Sequence, residues 1–562
     1  MIAANRRTVL LQAAAATALG AAPRSKLAQA PGAEIAPLID AERRRIVAAM
    51  ARDNIEGVAI TFLHDGVPLW IEGFGVTDAR AGRAVATDTI FSIQSTSKNV
   101  TAVAVLIAVQ RGLLDLDTPI VAYLPWFRVS SRFEPAPRSK ITLRLLLSHR
   151  AGFTHEAPVG NNYDPAFPSF EAHVRSVGAT WLRYPVGERY RYSNLGYDLA
   201  GYILQARCGA PFADWVRRMV FEPLGMNDST VASDVYAHRE NRARGHDADR
   251  PTIPLITPLI PSGGVWTSAR DMAAWSRFHL GRGAPDGNVV LRRDLWDVMH
   301  GFALGGDYGL GVIREELRYG SERLRMLGHK GGGFGFGSVF RYCPEVGLAF
   351  AALFNRPADS AYRFGEGLVD EVLARRFGPR TPRPAATDLA SIDLPPGERE
   401  RYIGTWIGRN TLAKVELTDT GLNMEQDGKI APLRFTSPTQ AFVERPDGGA
   451  TLYDAFPALP GEPAHLECWV GEEGLDFNDG PRDPPGPDDP RWAPWLGRYR
   501  IFQWGVVADT VSVHRRNGYL YLDDTRLVTE LTPGLFFTSD GEALDFRPTP
   551  PTWKNLRLVK DV

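Results

Sequence analysis

Phe91-Ser92-Ile93-Gln94-Ser95-Thr96-Ser97-Lys98, with the apolar run Val100–Val109 directly after it, is the most informative part of this sequence. The run is almost wholly apolar, has helical length and ends shortly before Gly112, so it predicts a helix that is buried on most sides. We expect this helix to begin at Ser95. Residues three apart share one face of a helix, and the Lys98 amine can therefore reach the Ser95 hydroxyl.

This serine–lysine pair suits nucleophilic catalysis. A serine hydroxyl is a poor nucleophile until a neighbouring group removes its proton. A lysine in a partly desolvated pocket can be neutral near pH 7 and act as that base. Ser95 is therefore a candidate nucleophile that also lies at the positive end of a helix.

Lysine is rare in this chain, which makes the pair more informative. Only eight of the 64 cationic residues are lysine, and between residues 31 and 380 there are three. Two of these, Lys98 and Lys330, fall inside short motifs that also carry candidate catalytic groups.

The second motif is Tyr192-Ser193-Asn194. A tyrosine beside a lysine ammonium has a lowered pKa and can exchange protons with the serine or with a leaving group. The Asn194 amide offers a donor and an acceptor, which can fix the lysine and a substrate amide. By itself this motif also fits an exposed loop before a helix.

The third motif is His329-Lys330-Gly331-Gly332, at the predicted start of a strand. Its glycines would let a substrate lie against the strand edge, and a backbone N–H there could complete an oxyanion hole with the N–H of Ser95. By itself the motif also fits a glycine-rich hairpin. In a regular strand Lys330 would point to the face opposite His329.

Hydrophobic patterning around the motifs predicts an α+β fold, in which both ends of the catalytic region complete one antiparallel sheet flanked by helices. Residues 113–300 read as a helical, loop-rich subdomain. The other predicted elements are helices over 35–51 and 358–377 and strands over 58–63, 67–74, 310–315, 324–327, 337–342 and 347–354.

Two proline-rich stretches divide the remainder into β-type segments with a weak internal repeat. We expect either two small antiparallel modules or one lipocalin-like barrel. The predicted domains are an export signal over 1–30, a catalytic domain over 31–378, a linker over 379–397, a first β module over 398–480, a linker over 481–492 and a second β module over 493–562.

The first thirty residues are typical of an export signal. Arg6-Arg7 precedes a short apolar stretch, Val9–Ala22, and Ala28-Gln29-Ala30 offers a cleavage site. The paired arginines favour the twin-arginine type, with Sec export as the alternative. We therefore expect a periplasmic or secreted protein without a membrane span, because no apolar stretch approaches 18 residues.

Composition argues against several other classes of protein. The 64 cationic and 65 acidic residues give a net charge of −1, which does not favour nucleic acid as a partner. The three cysteines are widely separated, and His155-Glu156 lacks the second histidine of a zinc motif. We expect no metal and no cofactor.

The region from about 36 to 377 resembles the serine β-lactamase-related family, which includes class C β-lactamases, penicillin-binding proteins, D-aminopeptidases and esterases. The resemblance rests on the three motifs and on the stretches Phe91–Lys98, Gly112–Asp117, Leu146–His149 and Gly263–Asp271. It implies Ser95 as nucleophile, Lys98 and Tyr192 as the acid/base pair, and Asn194 as positioner. We count His329 with these four as a catalytic candidate. The Ser95 and Gly332 N–H groups would form the oxyanion hole, with Gly331 and Lys330 beside them.

One residue departs from the penicillin-binding pattern, in which lysine often begins the third motif. His329 stands there, and a histidine is charged only part of the time near pH 7. We therefore expect an exported serine hydrolase of peptides, amides or esters, with D-amino-acid compounds favoured and a homodimer as one assembly open to it. The alternatives are a penicillin-binding protein or weak class C-like β-lactamase with slow turnover, and an inactive scaffold that binds through its β modules.

Overall fold

The structure is a computed structural model of the chain. It describes residues 34–80, 82–163, 168–246, 260–301, 307–381, 386–407, 412–426, 428–446, 448–456, 465–470, 473–479, 489–503, 505–516, 519–523, 526–538 and 541–561. The predicted signal over 1–30 and its arginine pair lie outside these ranges.

The catalytic region is built on one antiparallel sheet. Its strands are β1 (Gly57–His64), β2 (Val67–Gly75), β5 (Ile313–Tyr319), β6 (Glu322–Gly333), β7 (Phe336–Cys343), β8 (Leu348–Phe354) and β9 (Arg380–Thr381). A separate two-stranded ribbon consists of β3 (Phe91–Ser92) and β4 (Trp266–Thr267). Within the described ranges the sheet has the order β2-β1-β8-β7-β6-β5-β9, and β3 pairs with β4. β1 lies beside β8, so the two ends of the region meet in the sheet, as the sequence predicts.

Helices cover the sheet, and most of those described lie between β2 and β5 in the sequence. They are α1 (Ala36–Asp53), α2 (Ser97–Gln110), α3 (Leu143–Leu147), α4 (Phe170–Arg175), α5 (Asn194–Cys208), α6 (Phe212–Val216), α7 (Glu222–Leu224), α8 (Ser233–His238), α9 (Ile260–Gly263), α10 (Ala269–Leu280), α11 (Arg293–Met299) and α12 (Glu366–Phe377). α1 and α12 share one core with one face of the sheet, whereas α2, α5 and α10 pack in the core on the other face.

α2 is buried on almost every side, from Ser97 to Ala108. The α-helix begins two residues later than predicted, because Gln94–Thr96 forms a 3-10 turn before it. Gln94 has a φ of 48°, a left-handed conformation that is uncommon outside glycine. Ser95 therefore lies in a tight turn that leads into the helix rather than at its first α-helical position.

β6 is longer than the sequence indicates, because it continues through His329 and the glycines to Gly333. β7 pairs with it along this whole segment. On the other side, the pairing with β5 ends at Gly328. No described strand pairs with β6 beyond that residue on this side, which leaves one edge of the glycine segment open toward Ser95.

The described residues after β9 form two β modules rather than one shared barrel. The first, which follows the short helix α13 (Pro396–Arg399), contains β10 (Gly404–Ile407), β11 (Leu412–Thr418), β12 (Gly421–Gln426), β13 (Lys429–Pro432), β14 (Arg434–Ser437), β15 (Gln440–Glu444), β16 (Ala450–Phe456), β17 (His465–Val470) and β18 (Glu473–Asp479). The second is a closed barrel of β19 (Gly497–Gln503), β20 (Val506–Arg516), β21 (Tyr519–Leu522), β22 (Arg526–Thr532), β23 (Leu535–Thr538), β24 (Ala543–Asp545), β25 (Thr552–Trp553) and β26 (Leu556–Lys560). A lipocalin-like identity for these modules stays a prediction.

Two further observations concern the domain boundaries and the membrane. β9 joins the catalytic sheet from the range predicted to be linker, because it pairs with β5 through Arg318 and Tyr319. Among the described residues, no helix is both long and apolar enough to cross a bilayer.

Candidate active site

Ser95 and Lys98 meet at the start of α2, as the three-residue spacing predicts. The Lys98 Nζ lies 3.2 Å from the Ser95 Oγ, 2.8 Å from the Asn194 Oδ1 and 2.9 Å from the carbonyl oxygen of Ser262. The Lys98 side chain is completely buried, whereas Ser95 is partly exposed. A substrate can therefore reach the serine but not the lysine.

Burial tunes Lys98 for proton transfer. Desolvation lowers the pKa of Lys98 to about 7, against the opposing effects of the Asp198 and Glu156 carboxylates. Near neutral pH the amine can therefore exist in its uncharged form. This is the range in which a general base is most effective.

The neighbours of Lys98 match the hydrogen-bonding capacity of a neutral amine. An NH₂ group has two hydrogens, which the Asn194 Oδ1 and the Ser262 carbonyl can accept. The nitrogen lone pair is then left for the remaining neighbour, the Ser95 hydroxyl. In the uncharged state the Lys98 nitrogen can therefore accept a proton from the serine hydroxyl.

The second motif lies directly over the lysine. The Lys98 Nζ is 4.6 Å from the centre of the Tyr192 ring, and Tyr192 is partly exposed. Asn194 begins α5, and Ser193 caps that helix by accepting a hydrogen bond from Gly196. The helix start therefore fixes the direction in which the Asn194 amide faces Lys98.

The Asn194 donor faces a protein carboxylate. Its Nδ2 donates to the Glu156 Oε1 at 2.9 Å, and the same oxygen accepts from the Asn162 Nδ2 and contacts the His155 Nδ1 at 3.0 Å. Burial alone would raise the pKa of Glu156, but these partners outweigh it and hold that pKa below its usual value. One of the two amide hydrogens expected to serve a substrate is thus committed to Glu156.

His329 is a neutral residue in this site. Desolvation and the nearby Lys98 lower the pKa of His329 to about 3. Its Nδ1 lies 2.6 Å from the Lys330 carbonyl and its Nε2 3.0 Å from the Tyr308 hydroxyl, which fits a proton on Nδ1. The expectation of a histidine charged part of the time near pH 7 is therefore corrected, because burial keeps the ring uncharged.

The glycines of the third motif lie against the nucleophile. A Cβ on Gly331 would lie 2.9 Å from the Ser95 nitrogen and 2.1 Å from the Ile93 oxygen, so only glycine allows this approach. A Cβ on Gly332 would instead meet the Tyr362 hydroxyl. Lys330 pairs with Val339, which belongs to the core on the other face of the sheet, so any contact of Lys330 with a substrate comes through its main chain.

Comparison with known proteins identifies the family. The sequence profile of the family described as beta-lactamase matches residues 43–374. The chain belongs to the β-lactamase family. This assignment, together with relatives named as a hydrolase and an esterase, makes the protein a serine hydrolase with the α+β fold of β-lactamases and penicillin-binding proteins.

Relatives of this β-lactamase-family hydrolase differ in their named activities. Penicillin-binding protein 4 of Amycolatopsis lactamdurans is 28% identical over 390 residues, which cover 64% of this chain and 97% of that protein. Esterase EstB of Burkholderia gladioli is 32% identical over 193 residues, 32% of this chain and 48% of the esterase. A crystal structure of SurE with D-Leu has a TM-score of 0.53 and 21% identity, covers 80% of this chain and 100% of that chain, and shows the fold alone.

Sequence reasoning missed several residues that shape the site of this β-lactamase-family hydrolase. Asp198 is completely buried and accepts a hydrogen bond from the Ser262 backbone N–H at 3.0 Å, while its other oxygen contacts the His173 Nε2 at 3.1 Å. It therefore places the Ser262 carbonyl that receives the Lys98 amine. Its position four residues after Asn194, on the next turn of a helix, was the one available signal.

The cluster of aromatic rings that packs beside Tyr192, formed by His149 and Tyr308, was also missed. The His149 ring lies 4.3 Å from the Tyr192 ring and 4.7 Å from the Tyr308 ring, measured between centroids. Its Nδ1 accepts a hydrogen bond from the Ser193 N–H at 3.0 Å, and burial lowers its pKa well below the usual value. His149 is thus an uncharged packing partner that supports the Tyr192 loop.

Proposed function

We propose that this chain cleaves an amide or ester bond through an acyl-enzyme on Ser95. The observation that carries the proposal is the buried Lys98 amine, which has a pKa of about 7 and lies 3.2 Å from the Ser95 hydroxyl. Lys98 takes the proton while Ser95 attacks the substrate carbonyl. The backbone N–H groups of Ser95 and Gly332 stabilise the oxyanion.

Tyr192 completes the proton transfers. It lies on Lys98 and is partly exposed, so it can pass a proton from the lysine to the leaving group. A water molecule then releases the acyl group from Ser95, with the same pair acting in reverse. Asn194 holds the lysine throughout.

The substrate that we favour carries no carboxylate beside the scissile bond. A fixed cation in the third motif would bind such a group, but His329 is uncharged at neutral pH. This supports esters, amides or D-amino-acid derivatives over β-lactams. The esterase relative points to the ester class among these.

The experiment that tests this proposal compares Ser95→Ala with Ser139→Ala, which removes an exposed hydroxyl. Intact-mass spectra after exposure to p-nitrophenyl esters, D-amino-acid anilides and β-lactams are expected to show an acyl adduct in the wild type and in Ser139→Ala. Ser95→Ala is expected to show neither adduct nor turnover. Undiminished hydrolysis by Ser95→Ala would overturn the proposal.

The second candidate is a penicillin-binding protein, or a weak class C-like β-lactamase, that acylates with slow turnover. It is favoured by penicillin-binding protein 4, which this chain matches over 97% of that protein's length. A fluorescent penicillin that stays on Ser95 for hours, without turnover of any ester or amide, would establish this alternative.

We further propose that the hydrolase is exported to the periplasm or secreted. Arg6-Arg7 and the apolar stretch Val9–Ala22 support this. Residues 1–35 fused to a reporter are expected to carry it out of the cytoplasm, and Arg6→Lys/Arg7→Lys is expected to retain it if the twin-arginine route is used. A wild-type fusion that stays in the cytoplasm would contradict the proposal.

A further inference from the structure

The closed barrel touches the catalytic domain at the loop formed by residues 149–163, which we name the site loop. Glu542 precedes β24 and is 2% exposed. One carboxylate oxygen accepts a hydrogen bond from the Thr154 hydroxyl at 2.7 Å. The other accepts from the His155 N–H at 3.2 Å and lies 3.3 Å from the Arg183 Nε.

Two more barrel side chains hold the same loop. The Asn555 Nδ2, in the turn between β25 and β26, donates to the Glu156 carbonyl at 2.9 Å and to the Thr154 hydroxyl at 3.3 Å. The Gln503 Nε2, at the end of β19, donates to the Asn162 carbonyl at 2.6 Å. The barrel is therefore hydrogen-bonded to the site loop at Thr154–Glu156 and again at Asn162.

Thr154 and His155, which the barrel contacts, are also hydrogen-bonded to the start of α5. The Thr154 carbonyl accepts from the Ser193 hydroxyl at 2.7 Å, and the His155 carbonyl accepts from the Asn194 N–H at 3.0 Å. The Glu156 carboxylate then accepts from the Asn194 side chain, whose oxygen receives Lys98. A short hydrogen-bonded path thus joins Glu542 in the barrel to the Lys98 amine.

We propose that Glu542 is a positioning residue for the reaction at Ser95, with Asn555 as its support. It fixes the site loop so that Glu156 orients Asn194 and keeps its negative charge near Lys98. This inference rests on the proposed function, because it assigns the barrel a role in that same site. Loss of the Glu542 carboxylate would take one buried partner away from Thr154, from the His155 N–H and from Arg183, and unmatched buried groups destabilise the arrangement that holds them.

The test compares Glu542→Ala with Asp545→Asn. Asp545 is a nearby barrel carboxylate whose described partner, Arg547, lies in the barrel at 2.7 Å. With an ester substrate that the wild type accepts, Glu542→Ala is expected to lower kcat by about 10- to 100-fold, because small misplacements of catalytic groups cost that much. KM is expected to change little, and Asp545→Asn is expected to keep the wild-type kcat.

The pH profile separates positioning from a loss of fold. A released site loop takes the Glu156 charge away from Lys98, so the acid limb of kcat/KM is expected to move to lower pH in Glu542→Ala, as in Glu156→Gln. The double variant Glu156→Gln/Glu542→Ala is expected to shift no further than Glu156→Gln alone. Glu542→Gln, which keeps an acceptor for Thr154, is expected to recover part of kcat, and circular dichroism verifies that each variant is folded.

A folded Glu542→Ala variant with wild-type kcat and pH profile would overturn the inference, as would full additivity in the double variant. Ser95→Ala distinguishes this from failure of the proposed function. If Ser95→Ala hydrolyses the ester as the wild type does, the proposed function fails. If Ser95→Ala is inactive while Glu542→Ala is unchanged, the positioning role alone fails.

Discussion

Replacing Glu156 by glutamine tests the electrostatic design of this site most directly. The two side chains have nearly the same shape, and a glutamine oxygen can still accept the hydrogen bond from the Asn194 Nδ2. The substitution therefore removes the charge while it preserves the contact. Because the Glu156 charge raises the pKa of Lys98, its loss is expected to lower that pKa below its present value of about 7.

The size of the effect follows from two hydrogen bonds. Lys98 Nζ to Asn194 Oδ1 is 2.8 Å, and Asn194 Nδ2 to Glu156 Oε1 is 2.9 Å. With the amide between them, the charges lie within about 8 Å, where the interaction is about 2 kcal/mol at an effective dielectric constant of about 20. That energy corresponds to about 1.5 pH units. The lysine is fully buried, so solvent screening reduces this only modestly.

The assay is the pH dependence of kcat/KM for an ester, which reports the ionisation of the free enzyme. The neutral lysine is the active form, so rate rises with pH through its pKa, and a lower pKa moves the acid limb to lower pH. The midpoint is expected to fall from about 7 to between about 5.5 and 6, with a lower plateau because the base is weaker. A midpoint that stays near 7 or rises would refute this reasoning.

Two other predictions concern backbone approach and stability. Gly331→Ala places a Cβ 2.1 Å from the Ile93 oxygen, so β6 must move away from Ser95. Ester turnover is therefore expected to fall about 100-fold. Gly397→Ala, where an added Cβ has no neighbour within 4 Å, is the control, and equal activity of the two variants would contradict the prediction. Burial opposes protonation of His173, but the Asp198 carboxylate outweighs burial and raises the pKa of His173. The pair therefore stabilises the fold fully below the unfolded-state histidine pKa of about 6.5. This contribution is lost as the pH rises through the raised pKa. His173→Gln is therefore expected to lower the urea-derived unfolding free energy more at pH 6 than at pH 9, and equal losses at both would count against it.

The parts of the site that could be predicted from sequence are those with a local signature. Ser95 and Lys98 are three residues apart at the start of a helix, and that spacing brought them together. Gly331 and Gly332 were recognised because glycines in a strand let a substrate lie against the strand edge. The order and spacing of the three motifs fitted one architecture, and the family resemblance then assigned a role to each.

The missed residues act between distant parts of the chain. Glu156 reaches Asn194 across 38 positions and Glu542 reaches Thr154 across 388, so neither carries a local pattern. In the sequence, His155-Glu156 is only an incomplete zinc motif. In the fold, the Glu156 carboxylate accepts a hydrogen bond from the Asn194 side chain. The neutral state of His329 also escaped prediction, because it depends on burial beside Lys98 and on the Tyr308 hydroxyl.

Elements of the fold follow the same division. The hairpin β1–β2 and the buried helix α2 were predicted because their patterns are local and strongly apolar. The 3-10 turn at Gln94–Thr96 and the continuation of β6 through its glycines were not. Both depend on the packing of the turn against the strand, which the sequence does not state.

The pairing of β1 with β8 also bears on how the chain is made. Ala59 lies beside Leu353, 294 positions later, so β1 has no neighbour on that side until most of the domain has left the ribosome. At typical synthesis rates of about 5–20 residues per second, this apolar edge stays unpaired for about 15–60 s. Unpaired strands of this kind invite association with other chains. Production of the protein is therefore expected to depend on chaperones that shield the nascent hairpin, and slower translation alone would prolong its exposure.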